Sequence, residues 1–390
     1  VYKYDIQTGE EVILKTTYGL DESFTEIELH EKDNLILNFR ERKLCKKHYA
    51  EISDIQKISD IKIIDRDKNC LVIDKARIST GNGFSELQPV IWFNDELYSP
   101  ERTEPLNITV RYCFNCDSQL NTSDIEFCFE DGASKQLTVN GIVIAAERKG
   151  WWIDKCIGVY EIGKQLHSGE NVIDISYNIP VLNKHIGEEV FESELNRFYY
   201  PVELESVYIR GDFDVIADES IDDKITRLQV GGEFSLAPAT EKQCGDLTRQ
   251  NMWFYRGNVK YRITLPDNST RENVNVRVYY YGTAAILRYG DKRLTSFEQP
   301  AIFQLESDAK SVEVEIIGTN RNLLGPHHHI DGDCAFVTPY TFIGKDTGFE
   351  QFTTPWLNGK PKYTEKYGFI PYGLEKVELV HCVDVLNEGV

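Results

Sequence analysis

Hydrophobic and polar residues alternate along most of this chain. Between Ile108 and Phe114 the apolar positions 108, 110, 112 and 114 are separated by Thr109, Arg111 and Cys113. The same period of two recurs over residues 125–129, 259–265, 274–280 and 312–316. Because side chains of a strand point alternately to its two faces, this period indicates strands with one buried and one solvated face. We therefore predict antiparallel strands at these positions.

Turn residues separate the alternating segments. They are Thr8-Gly9, Asp131-Gly132, Asn140-Gly141, Ser168-Gly169, Arg210-Gly211 and Gly290-Asp291. Helical periodicity is nearly absent, and the segment 191–198 is the best candidate for a short helix. Many short strands joined by regular turns are typical of sandwiches. The fold class predicted from the sequence is all-β, with consecutive antiparallel β-sandwiches.

The chain length indicates more than one domain. At 390 residues it exceeds what one hydrophobic core usually serves. We predict a small β-domain at 1–88 with a hairpin around 65–69, a second unit at 89–225 that ends in the polar stretch 217–224, and a β-sandwich at 226–390. A strand, a tight turn and a final alternating strand recur in the same order at 137–175 and 285–316, which suggests two related sandwiches.

Charge and composition narrow the possible partners. The net charge of −20 and the pI near 4.9 argue against nucleic acid, which needs a basic surface. No run of 18 apolar residues is present, so no membrane-spanning helix is expected. The nine cysteines are odd in number and irregularly spaced, which favours a reducing, cytoplasmic setting. The only methionine is Met252, and we expect the chain to be a piece of a longer protein.

Several motifs carry a resemblance to a known family. The segments Leu137 to Gly141, Gly150 to Asp154 and Ser168 to Ile173 together resemble the sugar-binding jelly-roll domain of glycosyl hydrolase family 2. Related modules occur in large α-L-rhamnosidase-type hydrolases, and further segments resemble theirs: 4–10, 208–213, 253–261 and 322–328. The resemblance implies at least one galactose-binding-like jelly roll, at 89–225, and a small β-domain at 1–88 that follows a catalytic domain.

The resemblance does not transfer a catalytic site. In the family a barrel of alternating strands and helices carries the catalytic carboxylates, and this sequence shows no such alternation. We therefore assign no catalytic residue and expect no catalysis by this segment. The expected function is an accessory part of a glycoside hydrolase that braces the catalytic domain or subunit and contacts a glycan or glycoside. The alternatives are a stand-alone carbohydrate-binding protein and a structural subunit of a multi-chain hydrolase.

Two aromatic clusters are candidate carbohydrate contacts. Trp151 and Trp152 stand beside Asp154, and a flat aromatic ring can stack on the C–H face of a sugar while a carboxylate accepts its hydroxyl hydrogens. Trp253 and Tyr255 form the second cluster. For both clusters the alternative is packing in a sandwich core or at a domain boundary.

A histidine-rich loop is the candidate metal site. His327, His329, Asp331 and Asp333 offer nitrogen and oxygen ligands for zinc or calcium. The alternative is structural: Gly325-Pro326 forms a turn and the histidines donate hydrogen bonds across a domain boundary. We expect the structural role, and no firmly held cofactor.

Overall fold

The structure is a computed structural model. It describes residues 49–97, 102–145, 147–181, 202–217, 221–223, 228–266, 274–305, 309–328 and 363–385, together with short pieces between residues 2 and 38. The candidate helix at 191–198 lies outside the described residues.

Strands dominate the described chain. In chain order they are β1 (Tyr2–Tyr4), β2 (Glu11–Ile13), β3 (Thr16–Tyr18), β4 (Ser23–Thr25), β5 (Ile36–Asn38), β6 (Tyr49–Ile58), β7 (Ile61–Arg66), β8 (Asn69–Ile73), β9 (Lys75–Ser79), β10 (Gln88–Pro89), β11 (Leu106–Cys116), β12 (Glu126–Glu130), β13 (Ser134–Val139), β14 (Ile142–Val143), β15 (Gly150–Trp152), β16 (Asp154–Glu161), β17 (Gly169–Ile179), β18 (Val207–Gly211), β19 (Phe213–Ala217), β20 (Ile221–Asp223), β21 (Leu228–Val230), β22 (Phe234–Pro238), β23 (Val259–Thr264), β24 (Val274–Tyr281), β25 (Ala284–Tyr289), β26 (Lys292–Ser296), β27 (Ala301–Gln304), β28 (Ser311–Ile317), β29 (Tyr367–Phe369) and β30 (Gly373–Val385). Helices are short: α1 (Trp92–Leu97), α2 (Arg321–Leu324) and the 3-10 turns Gly163–Gln165 and Thr248–Gln250. The all-β fold class is confirmed.

The first sandwich is built from two mainly antiparallel sheets. One has the strand order β10-β9-β11-β17-β13-β14, with β22 added to β11 in parallel and β19 added to β22. The other has the order β15-β16-β12-β18-β8. One hydrophobic cluster holds residues of both sheets, among them Tyr112 and Ile173 from the first and Phe127 and Ile209 from the second. The inward positions of β11 are those that the alternation predicts.

The second sandwich has the same two-layer construction. Its sheets have the orders β26-β25-β28-β23-β7 and β27-β24-β30-β6. A separate hydrophobic cluster fills it, with Tyr261 and Val314 from one sheet and Val278 and Leu379 from the other. Smaller sheets are β2-β1-β5, β3-β4 and β20-β21-β29.

The chain passes between the sandwiches near residue 67. Strand β7 pairs with β23 in the second sandwich, whereas β8 pairs with β18 in the first. The hairpin predicted at 65–69 is therefore wrong, because the turn there joins strands of different sheets. Strand β6 likewise pairs with β30, more than 300 residues away, as in Val377 opposite Ile58. The strand pairing thus runs across the boundary at residue 88 that the sequence suggested.

Among the described residues, no helix has the length and apolar character needed to cross a lipid bilayer.

Candidate functional site

Trp151 is the most exposed large aromatic side chain in the described chain, at 57% of its possible surface. It lies on β15, the edge strand of its sheet, opposite Gly158 of β16. The turn that joins the two strands contains Ile153 with a φ of +69°. A β-branched residue in this left-handed region is strained, and such strain often marks functional positions. The hairpin therefore holds a large apolar ring in solvent on a constrained backbone.

A carboxylate lies beside this ring. A Cβ added at Gly158 would come within 2.0 Å of Asp131 Oδ2, so the Asp131 carboxylate occupies the place of a side chain at 158. Because residues directly opposite each other in an antiparallel pair project from the same face, Asp131 shares a face with Trp151. Tyr160 donates its hydroxyl to Asp131 at 2.8 Å, and Arg148 lies 3.3 Å from the carboxylate. An aromatic ring on the same face as a carboxylate and a guanidinium can contact a sugar, the ring by stacking and the polar groups by hydrogen bonds.

Trp152 and Asp154 have other surroundings. Trp152 is half-buried, with its ring edge-on to Tyr208 at a centroid distance of 5.6 Å and the Arg210 guanidinium 5.2 Å from its centre. Asp154 is exposed, and its Oδ1 accepts the backbone N–H of Cys156 at 3.0 Å. That backbone hydrogen bond lowers the pKa of Asp154. The carboxylate next to the Trp151 ring is thus supplied by Asp131, twenty residues upstream.

Trp253 and Tyr255 lie in the interior, each with only 2% of its surface exposed. Trp253 belongs to the hydrophobic cluster of the first sandwich and packs against Phe369 at 5.5 Å between ring centroids. Tyr255 belongs to that of the second, where its hydroxyl donates to Asn258 O at 2.8 Å and accepts the N–H of Asp67 at 3.0 Å. These rings fill the two cores and leave no surface on which a sugar could stack.

The ring of His327 is hydrogen-bonded to the backbone. Its side chain is buried, and its Nε2–H donates to the carbonyl of Asn322 at 2.9 Å. Burial lowers the pKa of His327 to about 4, so the ring is neutral near pH 7. The other candidate ligands of this loop, His329, Asp331 and Asp333, lie outside the described residues. Within the described part of the chain, no group of three or more histidine, cysteine or acidic side chains is placed to hold a metal.

His328 joins distant segments. Its Nε2 lies 2.9 Å from Asp74 Oδ2, and its Nδ1 lies 2.8 Å from the carbonyl of Thr364. Both ring nitrogens of His328 therefore face hydrogen-bond acceptors. Tyr367 donates its hydroxyl to the other Asp74 oxygen at 2.7 Å. Burial alone would raise the pKa of Asp74, but the hydrogen bond and charge of His328, with the bond from Tyr367, lower it to about 2. His328 thus forms a long-range hydrogen bond, whereas the ring of His327 bonds to Asn322 within its own loop.

An acidic cluster lies elsewhere on the first sandwich. Burial, together with the charges of Glu130 and Glu203, raises the pKa of Glu205 to about 7. Burial and Glu130 also raise the pKa of Glu203. The Cys156 thiol donates to Glu130 at 3.1 Å. Glu205 is the carboxyl group here whose pKa suits proton transfer near neutral pH.

A polar cleft opens on the solvent-facing side of β9 and β11. Its volume is about 250 Å³, and its walls carry Asp74, Lys75, Arg77, Arg111, Cys113, Asn115, Glu170, Glu233, Phe234 and Tyr367, among others. This cleft could not be predicted from the sequence, because its residues lie on separate strands and each has the pattern of an ordinary solvated strand position. The same holds for the pairing of Asp74 with His328, which are 254 residues apart.

No protein-family model matches this chain, and no curated protein sequence matches it. Among solved structures, the apo β-glucuronidase from Ruminococcus gnavus is similar at 12% identity and a TM-score of 0.26, over 66% of this chain and 40% of that one. The complex of that enzyme with D-glucuronic acid matches at 12% identity and a TM-score of 0.25, over 66% of this chain and 41% of that one.

A third similar structure is an FMN-binding β-glucuronidase from Facaelibacterium prausnitzii L2-6, at 10% identity and a TM-score of 0.26, over 65% of this chain and 34% of that one. The match thus spans about two fifths of the first of these enzymes. The three structures are β-glucuronidases, and none of the three is an α-L-rhamnosidase-type protein. Similarity of this size assigns neither a family nor an activity to the chain.

Proposed function

We propose that this chain is a non-catalytic accessory part of a glycoside hydrolase and that it contacts glycan through Trp151. The observation that carries the proposal is the exposure of Trp151 beside the Asp131 carboxylate. A tryptophan ring that stays exposed to water contributes little to the stability of the fold. It loses contact with water, and becomes stabilised, when a sugar ring stacks on it. The strained φ of Ile153, which holds the ring in this position, supports the same role.

The polar neighbours fit a sugar hydroxyl. Asp131 accepts one hydrogen bond from Tyr160 and one from Arg148, and a carboxylate has about four acceptor positions. With 10% of its side-chain surface exposed, Asp131 offers at most one acceptor position to a hydroxyl of a ring stacked on Trp151. Arg148, with about one third of its side chain exposed, supplies a donor at the same place. Trp152 serves as the packed base of the hairpin.

The test compares glycan binding by the wild-type chain and by Trp151→Ala on a printed glycan array, followed by titration of the best oligosaccharide. A stacked ring contributes about 1 kcal/mol, so the affinity should fall about fivefold to tenfold. Trp151→Tyr, which keeps a flat ring, should retain most of the binding. Phe297→Ala, which truncates an aromatic side chain 37% exposed on the second sandwich, is the matched control and should bind as wild type.

Two outcomes would contradict the proposal. Equal binding by wild type and Trp151→Ala would remove Trp151 from any glycan contact, and the absence of binding to every glycan would favour a purely structural subunit. The non-catalytic part is tested with aryl glycosides, on which we expect no turnover. Turnover of roughly 1 per second that is lost in Glu205→Gln would instead make the chain an enzyme with Glu205 as its acid.

A further inference from the structure

The polar cleft on the first sandwich has features of a second ligand site, separate from Trp151. Its floor is the solvent-facing row of β11, where Arg111, Cys113 and Asn115 alternate with buried residues. Strand β9 forms one side through Lys75 and Arg77. Glu170 at the start of β17 forms the opposite side, whereas Glu233, just before β22, lies at the same edge of β11 as β9.

Some of the charged groups in the cleft are already paired. Arg111 forms two hydrogen bonds of 2.8 Å with the carboxylate of Asp174 and lies 3.9 Å from the centre of the Phe84 ring. Lys75 forms an ion pair with Glu365. Asp74 is held by His328 and Tyr367, as described above. These pairs shape the walls and leave little capacity for a ligand.

Other groups keep unused hydrogen-bonding capacity. Arg77 donates one bond, to Ser85 O at 3.1 Å, and its nearest carboxylate is the fully exposed Glu86 at 3.9 Å. In the described part of the chain, the carboxylates of Glu170 and Glu233 and the side-chain amide of Asn115 form no hydrogen bond. A guanidinium, an amide and two carboxylates therefore face the same space with free donors and acceptors.

Charge and hydrogen-bonding groups narrow the kind of ligand. Three cationic side chains and three carboxylates line the cleft, and Asp174 and Glu365 pair with two of the cations, so the cleft does not favour an anion. Donors and acceptors that face the same space suit a molecule with many hydroxyl groups, since each hydroxyl both donates and accepts. Leu87, which is 49% exposed, and the half-buried ring of Phe234 add apolar surface for C–H groups.

The size of the cleft suits one sugar unit. Its volume of about 250 Å³ is below the roughly 300–1,000 Å³ of sites that enclose drug-sized molecules. We propose that this cleft is a carbohydrate subsite that binds a single neutral monosaccharide residue, held by Arg77, Asn115, Glu170 and Glu233. It adds a second binding site to the glycan contact at Trp151 and does not depend on it.

The primary test is saturation-transfer NMR with the full chain and the free sugars D-glucose, D-galactose, D-mannose and D-xylose. D-Glucuronate and D-glucosamine test charged ligands. We expect a saturable signal from at least one neutral sugar, and an affinity about tenfold lower in Glu170→Gln and in Arg77→Gln, because each loses a charge-assisted hydrogen bond. Glu313→Gln is the matched control, a half-exposed glutamate on the second sandwich that pairs with Arg262, and should bind as wild type.

Cys113 provides an independent readout on the cleft floor. Both Cys113 and Cys156 are exposed thiols, and only Cys113 lines the cleft. The bound sugar should slow alkylation of Cys113, measured by mass spectrometry, while the rate at Cys156 stays unchanged in the same sample. Glu170→Gln should remove this protection.

Each contrary result has a distinct meaning. The proposal is overturned if no neutral sugar gives a saturable signal, if a charged sugar binds more tightly than all neutral ones, or if Glu170→Gln and Arg77→Gln bind like Glu313→Gln. Trp151→Ala should bind the monosaccharide as wild type does. Loss of monosaccharide binding in Trp151→Ala would place the sugar at Trp151 and not in the cleft, so the two sites can fail separately.

Discussion

The buried contact between Asp74 and His328 allows a quantitative test of how the end of β8 is held to the last third of the chain. Asp74 follows β8 in the first sandwich, whereas its partners His328 and Tyr367 come from the last third of the sequence. Both Asp74 and His328 have 14% of their side-chain surface exposed. The perturbation is Asp74→Asn, which keeps the size of the side chain and removes its charge.

The magnitude follows from burial and from the pKa. Removing one partner of a buried hydrogen bond leaves the other group unsatisfied and costs about 1–3 kcal/mol, and more where a charged group takes part. The pKa of Asp74 is lowered from 3.8 to about 2, which corresponds to roughly 2 kcal/mol of stabilisation by the ionised form. Asparagine still accepts from Tyr367, so we expect a loss of about 3 kcal/mol in the free energy of unfolding near neutral pH.

The pH dependence has a defined sign. The pKa of Asp74 is lower in the folded state than in the unfolded state. The ionised carboxylate therefore stabilises the folded state fully above about pH 4, and this stabilisation is lost as the pH falls from 3.8 towards 2. Urea denaturation followed by tryptophan fluorescence should therefore show a constant difference between wild type and Asp74→Asn from neutral pH down to about pH 4. Below that the difference should shrink.

The control for this experiment is Asp65→Asn. Asp65 pairs with Lys260 at 2.6 Å, but 59% of the Asp65 side chain is exposed, and exposed pairs contribute little. Its unfolding midpoint should stay near that of wild type. If Asp74→Asn is no more destabilised than Asp65→Asn, or if its deficit does not change with pH, the reasoning from burial is refuted.

Three further predictions use the same denaturation and melting measurements. Trp253→Ala should lower the free energy of unfolding by about 3–5 kcal/mol, because removing a buried ring leaves a cavity. Trp151→Ala should change it by about 0.5 kcal/mol or less, because that ring is exposed. Equal losses of stability in the two variants would contradict this difference in burial. Gly163→Ala should lower the free energy of unfolding by about 1–3 kcal/mol, since the added Cβ would lie 2.0 Å from Thr122 O. Gly132→Ala, with open space around it, is the control and should be as stable as wild type. If Gly163→Ala were as stable as wild type, the loop at Thr122 would have to move to accommodate the Cβ. Chelator treatment should leave the melting temperature unchanged, because backbone and carboxylate groups engage the rings of His327 and His328; one equivalent of retained zinc would contradict this.

The positions of strands and turns could be predicted from the sequence alone. The alternation at Ile108 to Phe114 lies inside β11, and Asn140-Gly141 forms the tight turn between β13 and β14, with both residues at positive φ. These features are local: the side-chain period of two and the φ angles of a two-residue turn depend on neighbouring residues only. They were sufficient to determine the all-β class.

Strand pairing, burial and the candidate sites were decided by the tertiary structure. Trp151 and Trp253 stand in similar aromatic segments, yet one is exposed on an edge strand and the other is enclosed by a core. Nothing within a few residues of Asp74 indicates that His328 binds it, and the cleft between Arg77 and Glu170 exists only because β9, β11 and β17 are neighbours in one sheet. Side-chain burial and the encounter of distant polar groups depend on which strands pair across the sequence, and the local pattern of residues does not carry that information.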